Sequence, residues 1–199
     1  MNSMKSCITM EPCFTPFPLL ESERLILREI KDDDIADIFF LQSNTDVLQY
    51  LDTEPLQSPE ETRLKMIKVK NDQLSNHCIE WGICLKGREN KVIGLITFWR
   101  IMNEHYRAEI GYRLDPAFHR RGIMSEAMRM VIEYGQNTMK LHSIEANINP
   151  YNIASIRLLE KHGFVKEGHF IENFYFNGRF LDSAIYSLVF KAPSHQSNA

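Results

Sequence analysis

The chain has 199 residues, 44% hydrophobic and 25% charged, with a formal net charge of −3. That length suits one domain with a sizeable core and makes two small domains a stretch. The charge excludes a global basic field that recruits nucleic acid, and no segment reaches the roughly 18 apolar residues of a membrane span.

The first 20 residues lack a continuous apolar run and do not resemble a signal peptide. Residues 1–21 are read as an N-terminal extension, 22–191 as the domain and 192–199 as a polar tail, with Pro193–Ala199 frayed. Glu23–Ile30 alternates and predicts a strand. Asp32, Asp33 and Asp34 precede Ile35, Ile38 and Phe39, which marks a capped helix rather than a metal site. Ser58-Pro59-Glu60-Glu61 opens a second helix, with Ser58 as N-cap, Pro59 at the first helical position and Glu61 closing a capping box; it runs to about Asn76.

Ile79–Leu85 and Val92–Arg100 predict strands joined by a turn at residues 86–91, and Glu104–Leu114 continues an antiparallel meander. Cys78 and Cys84 fall on one strand face as small apolar residues; with Cys7 and Cys13 they form no zinc spacing, so a reduced, cytoplasmic setting is the simplest reading. A helix follows from about Gly122 to Met139, with Ile123, Ala127, Met130, Val131 and Tyr134 on one apolar face. His142–Asn149 is a strand, and Asn152 caps a helix ending near Gly163. Phe164–Phe176 and Phe180–Phe190 form a closing hairpin around Asn177-Gly178. The third helix is a crossover, which makes strands 104–114 and 142–149 parallel.

The most informative stretch runs from Glu109 to Ala127. Tyr106, Ala108, Ile110, Tyr112 and Leu114 share one strand face; Arg107, Glu109, Gly111 and Arg113 share the other. Next come His119, Arg120, Arg121 and Gly122, which put backbone N–H groups and positive charge at a helix N-terminus. Arg100, Arg107, Arg113, Arg120 and Arg121 fall within 22 positions, a local density that favours a small anionic ligand over a polyanion. An anion cradle beside a carboxylate suggests a phosphorylated cofactor with acid–base chemistry nearby.

Together these segments resemble the GNAT superfamily of acyl-CoA-dependent N-acetyltransferases, most of all its branch of ribosomal-protein N-terminal acetyltransferases. The carriers are the opening ERLILRE, Asn44-Thr45-Asp46-Val47, Val92-Ile93-Gly94, Glu109-Ile110-Gly111-Tyr112, Arg121 to Ala127, and the block from Asn149-Pro150 to Gly163-Phe164. The resemblance covers roughly Ser22 to Lys191. It implies an α/β (α+β) fold: a mixed, mostly antiparallel sheet of about seven strands with a splayed parallel pair, flanked by about four helices.

It also implies acetyl-CoA as co-substrate and no metal. The family's pyrophosphate loop, Gln/Arg-x-x-Gly-x-Gly/Ala, maps onto His119, Gly122 and Met124; His119 and Met124 depart from the pattern. Backbone N–H groups from Arg120 through Ile123 to Ser125 would still cradle phosphate. Pantetheine would lie between the splayed strands against backbone groups of Tyr112 and Leu114, with Asn147 and Asn152 touching it. Glu109 is the expected base, through a water, for direct attack of an amine on the thioester. Backbone N–H groups near Tyr112 would polarise the carbonyl. Leu159 stands where many relatives carry a tyrosine acid; Ser155 is the favoured substitute, ahead of Tyr151 and Tyr175. An α-amino group, with a pKa near about 7.7–8.0 against about 10.4 for lysine, demands less of the base, which favours a protein N-terminus.

The alternatives are acetylation of an aminoglycoside, polyamine or amino acid, and a non-catalytic acyl-CoA-binding module. Expected partners are an amine acceptor, a protein N-terminus among them, with no nucleic acid and no membrane; a homodimer is compatible with this reading. His142 and His162 are read as structural.

Overall fold

The computed structural model describes residues 12–190. The sheet consists of β1 (Leu20–Glu21), β2 (Leu25–Arg28), β3 (Ile79–Leu85), β4 (Gly94–Met102), β5 (Arg107–Leu114), β6 (Ser143–Ile148), β7 (Val165–Phe176) and β8 (Arg179–Val189). The helices are α1 (Ile35–Ser43), α2 (Thr45–Leu48), α3 (Pro59–Leu74), α4 (Ile123–Asn137) and α5 (Ile153–Lys161). The spatial strand order is β1-β2-β3-β4-β5-β6-β8-β7. The β5–β6 pair is parallel and the other neighbours are antiparallel. This is the mixed sheet that the crossover helix requires.

The chain enters the helices as its capping residues dictate. Ser58 Oγ accepts from Glu61 N–H at 3.2 Å, although the Glu61 carboxylate turns to Gln57 N–H rather than to Ser58. Asn152 Oδ1 accepts from Ser155 N–H at 3.0 Å. Asn177 and Gly178 both adopt positive φ, at 47° and 77°, as a two-residue hairpin turn needs. The Asp32–Asp34 run forms a short 3-10 turn before α1. Its third carboxylate does more than cap: buried Asp34 receives two hydrogen bonds from the Arg28 guanidinium, at 2.7 and 2.8 Å.

The boundaries of β4 and β5 differ from expectation. Residues 104–106 lie outside β5: Asn103–His105 is a 3-10 turn and Tyr106 is left-handed at φ 50°. A register shift between Trp99 and Met102 carries β4 on to Met102. The stretch Thr45–Leu48, capped by Asn44, is a separate short helix that hydrophobic periodicity did not reveal.

Helices cover both faces of the sheet. On one, Ile79, Trp81 and Ile83 of β3, Ile96 and Phe98 of β4, and Ala108 and Ile110 of β5 pack with the apolar side of α4 and with Leu159 of α5. Phe14 joins this core, and Phe17 meets Trp81 edge-on. On the other face, Cys84, Val92 and Leu95 pack against Ile38 and Leu41 of α1, with Met66 of α3 alongside. Cys78 and Cys84 are buried and burial raises both thiols, to about 12 and about 11. No helix among the described residues is long and apolar enough to cross a membrane.

Candidate active site

β5 and β6 are paired only at Arg107–Ser143, Ala108–Ile144 and Glu109–Glu145. Beyond that point β5 stays with β4 to Leu114, and β6 stays with β8 to Ile148. The parallel strands therefore part at Ile110 and Ala146, leaving a V-shaped gap edged by backbone. Tyr112 and Leu114 lie on its β5 arm and Asn147 on its β6 arm.

The turn from β5 into α4 lies beyond the open end of the β5 arm. Asp115 caps a 3-10 turn, Pro116–Phe118, and accepts from Ala117 N–H at 2.8 Å. Arg120 and Gly122 both have positive φ, at 60° and 74°, and Gly122 is the N-cap of α4. The first backbone bond of the helix runs from Glu126 N–H to Gly122 C=O at 3.0 Å; the N–H groups from Arg120 to Ser125 have no backbone acceptor among the described residues. Such a run of N–H groups at a helix N-terminus suits a phosphate. Arg120 and Arg121 are exposed beside it, Arg121 lying 5.5 Å from the Phe118 ring centroid.

The two atypical positions find roles that spare the cradle. Met124 and Ile123 are buried in the core beneath α4, so only their backbone faces the turn. His119 Nε2 lies 3.1 Å from the Leu114 carbonyl and latches the turn to the end of β5. Sequence reasoning missed two supports. Glu126, in the first turn of α4, would repel a phosphate, but it is engaged by Ser22 Oγ at 2.6 Å and Arg24 Nε at 2.8 Å. Ser125 Oγ lies 2.9 Å from His162 Nε2, so the C-terminal end of α5 is tied to the phosphate turn. Burial, then Lys161 and Arg129, lower the His162 pKa.

Glu109 lies at the apex of the V and is only 5% exposed. The arginines flanking it in sequence do not hold it. Arg107 pairs with Glu145 of β6, and Arg113 forms no ion pair among the described residues. Its partner is Arg100, whose Nη1 donates to Glu109 Oε2 at 3.1 Å. Arg100 gets there because the bulge in β4 gives it φ 46° and places its guanidinium 4.5 Å from the Trp99 ring centroid. Burial raises the Glu109 pKa, while Arg100 and then Arg107 pull it back. A buried carboxylate with a raised pKa and one adjustable cation is suited to accept a proton.

On the opposite face of β5 the Tyr112 hydroxyl lies 2.6 Å from Ser155 Oγ. Ser155 is 5% exposed in the first turn of α5, where the Asn152 cap sets it. Burial pushes the Tyr112 hydroxyl up to about 12. Asn152 is thus occupied as a cap, and Asn147 is exposed on β6 opposite Ile185. Tyr151 and Tyr175 are 72% and 62% exposed, and Leu159 is sealed in the core. Asp52, at φ 45° in the loop after α2, has its pKa raised by burial. On the Glu109 face a cleft of about 360 Å³ separates α3 from residues 29–32, with Glu80 in its wall.

The comparisons with known proteins agree with this fold. The Acetyltransferase (GNAT) domain profile matches residues 24–165. The chain is 39% identical over 174 residues to an uncharacterized N-acetyltransferase, YoaA, of Bacillus subtilis (strain 168), covering 87% of this chain and 97% of that protein. Among solved structures it superposes on a ribosomal-protein-S5-alanine acetyltransferase from Vibrio fischeri, with a TM-score of 0.74, 27% identity and coverage of 86% and 96% of the two chains. It also superposes on a spermidine N-acetyltransferase from Vibrio cholerae in complex with CoA and spermine, with a TM-score of 0.75, 26% identity and coverage of 84% and 96%. The chain belongs to the GNAT family of N-acetyltransferases.

Proposed function

We propose that this enzyme transfers an acetyl group from acetyl-CoA to a protein N-terminal α-amino group by direct attack. One observation carries the reading: Glu109 and the Tyr112–Ser155 hydroxyl pair lie on opposite faces of β5, at the place where β5 and β6 part. The residues fit CoA: the unpaired backbone of the V suits an extended pantetheine arm, and the N–H groups from Arg120 to Ser125 suit its pyrophosphate. When bound, the thioester supplies an electrophilic carbonyl and a thiolate leaving group.

The chain's own groups would do the rest. Glu109, ionised, takes the proton of the incoming amine through a water on its face of the sheet. Backbone N–H groups near Tyr112 polarise the carbonyl. On the far face Ser155 gives its proton to the sulfur. Tyr112, whose hydroxyl keeps its proton at neutral pH, is within hydrogen-bond distance of Ser155 Oγ and would act as donor there when Ser155 gives up its own proton. An α-amino group titrates near about 7.7–8.0, so much of it is already neutral at physiological pH and a carboxylate base suffices.

The test is CoA release against a panel of N-terminal peptides, polyamines and aminoglycosides. Turnover on peptides bearing a free α-amino group, and none on the same peptides blocked at that group, is expected. Turnover confined to polyamines or aminoglycosides would overturn the choice of acceptor.

A further inference from the structure

The face of the sheet that carries Glu109 holds a second charged group, which the mechanism leaves unused. Arg113 is four residues further along β5 on the same face, about 13 Å away along the backbone. Its Nη1 is buried and has no hydrogen-bond partner among the described residues. Burial lowers its pKa, and Glu80 only partly offsets this. Lys65 of α3 joins it: burial, then the charge of Arg113, lower the lysine pKa, with Glu80 opposing and Lys68 adding to the effect.

Glu80 is the one carboxylate acting on both cations, and it already accepts from Thr97 Oγ at 2.8 Å. Glu109 is held by Arg100 and is not available to them. Arg113 and Lys65 thus share Glu80 as their opposing carboxylate, and one guanidinium N–H is enclosed without an acceptor among the described residues. An anion there would gain a charge-assisted bond in a site where water competes poorly.

We propose that Arg113, assisted by Lys65, selects the acceptor by receiving a carboxylate that the acceptor carries, while the acceptor amine lies at Glu109. This rests on the acetyltransferase reading above and narrows its substrate class. The acceptor is a peptide N-terminus with Asp or Glu in its first residues, which is long enough to reach from Glu109 to Arg113. A polyamine would instead bring further positive charge against Arg113 and Lys65.

The experiment compares kcat/KM for peptides beginning Ser-Glu, Ser-Gln and Ser-Lys and otherwise identical, together with free glutamate and spermidine. A preference of about tenfold for Ser-Glu over Ser-Gln is expected, with Ser-Lys lowest. Arg113→Gln should bring the Glu-to-Gln ratio close to one. Lys65→Gln, on the helix, should shrink the ratio and serves if Arg113→Gln does not fold. Turnover of glutamate without peptides would overturn the proposal, because a free amino acid is too short to reach from Glu109 to Arg113. A wild-type preference for Ser-Lys or spermidine, equal rates on all peptides, or a ratio unchanged in both variants would overturn the proposal. CoA binding is measured in parallel by calorimetry. Binding without carboxylate preference sinks the inference alone, whereas no binding sinks the reading beneath it.

Discussion

The Tyr112 hydroxyl lies 2.6 Å from Ser155 Oγ, joining β5 directly to the helix that follows β6. If this pair protonates the departing sulfur, Ser155→Ala should lower kcat by about tenfold at neutral pH. The loss should shrink above about pH 8.5, where a thiolate needs no proton. Tyr112→Phe should give a smaller loss, and the double variant should fall short of the product of the two, because both act on one proton. A loss in Ser155→Ala that is the same at every pH would remove Ser155 from this role.

As the proposed base Glu109 would have to be ionised, and burial raises its pKa above the ordinary value of 4.5. On that role, activity should be lost as pH falls through the raised value. Glu109→Gln should reduce kcat about a hundredfold and leave CoA affinity nearly intact. Arg100→Gln removes a cation that favours the charged carboxylate, so the acid limb of kcat/KM should move to higher pH. The pH–rate profiles of wild type and both variants, taken with one acceptor, check this; an acid limb that stays put in Arg100→Gln would contradict the pairing.

His162 has a lowered pKa, so the folded protein favours its neutral form. Its unfolded value is about 6.5, so the associated stability is fully present above that pH and is lost as pH falls through the lower folded value. His162→Gln keeps a donor and acceptor near Ser125 but does not titrate. Its melting temperature should fall less than that of wild type between about pH 7 and pH 5. Parallel curves would show that other groups set the acid sensitivity.

Arg24 neutralises Glu126 at the entrance to α4. Arg24→Ala should raise KM for acetyl-CoA several-fold, since Glu126, left with Ser22 and no cation, would then repel a phosphate at the turn. Adding Glu126→Gln should restore it. Steady-state kinetics with acetyl-CoA varied at saturating acceptor distinguish this from a general loss of fold.

A methyl group at Gly94 would lie 2.7 Å from the Arg113 carbonyl oxygen and 2.8 Å from Leu114 Cδ1. Gly94→Ala should destabilise the protein by about 1–3 kcal/mol and shift the end of β5. A fall of several degrees in Tm, with a raised KM for acetyl-CoA, is the expected result.

Much of this was legible in the sequence because its signals were local. The alternation of Ala108, Ile110 and Tyr112, the apolar stripe from Ile123 to Tyr134, and the caps Ser58 and Asn152 depend on neighbours a few residues away. The crossover then required the parallel pair. What escaped was contact across strands. Arg107 and Arg113 flank Glu109 in sequence, yet Arg100 holds it, and only the bulge at Trp99–Met102 makes that so. His162 reads as a helix end until α5 folds back to Ser125, 37 residues away. Met124 departs from the loop pattern, but its side chain belongs to the core rather than to the cofactor.

Three residue pairs are all the ladder that joins β5 to β6. The sheet is thus nearly two sheets, β1–β5 and the β6–β8 group, with a seam between them that the chain itself leaves half open. A ligand lying in that seam would complete the sheet as well as deliver an acyl group. Binding to the folded state alone would add about 2.7 kcal/mol of stability at a concentration one hundred times its dissociation constant. The supply of such a ligand would then affect how long the folded enzyme lasts as well as how fast it works.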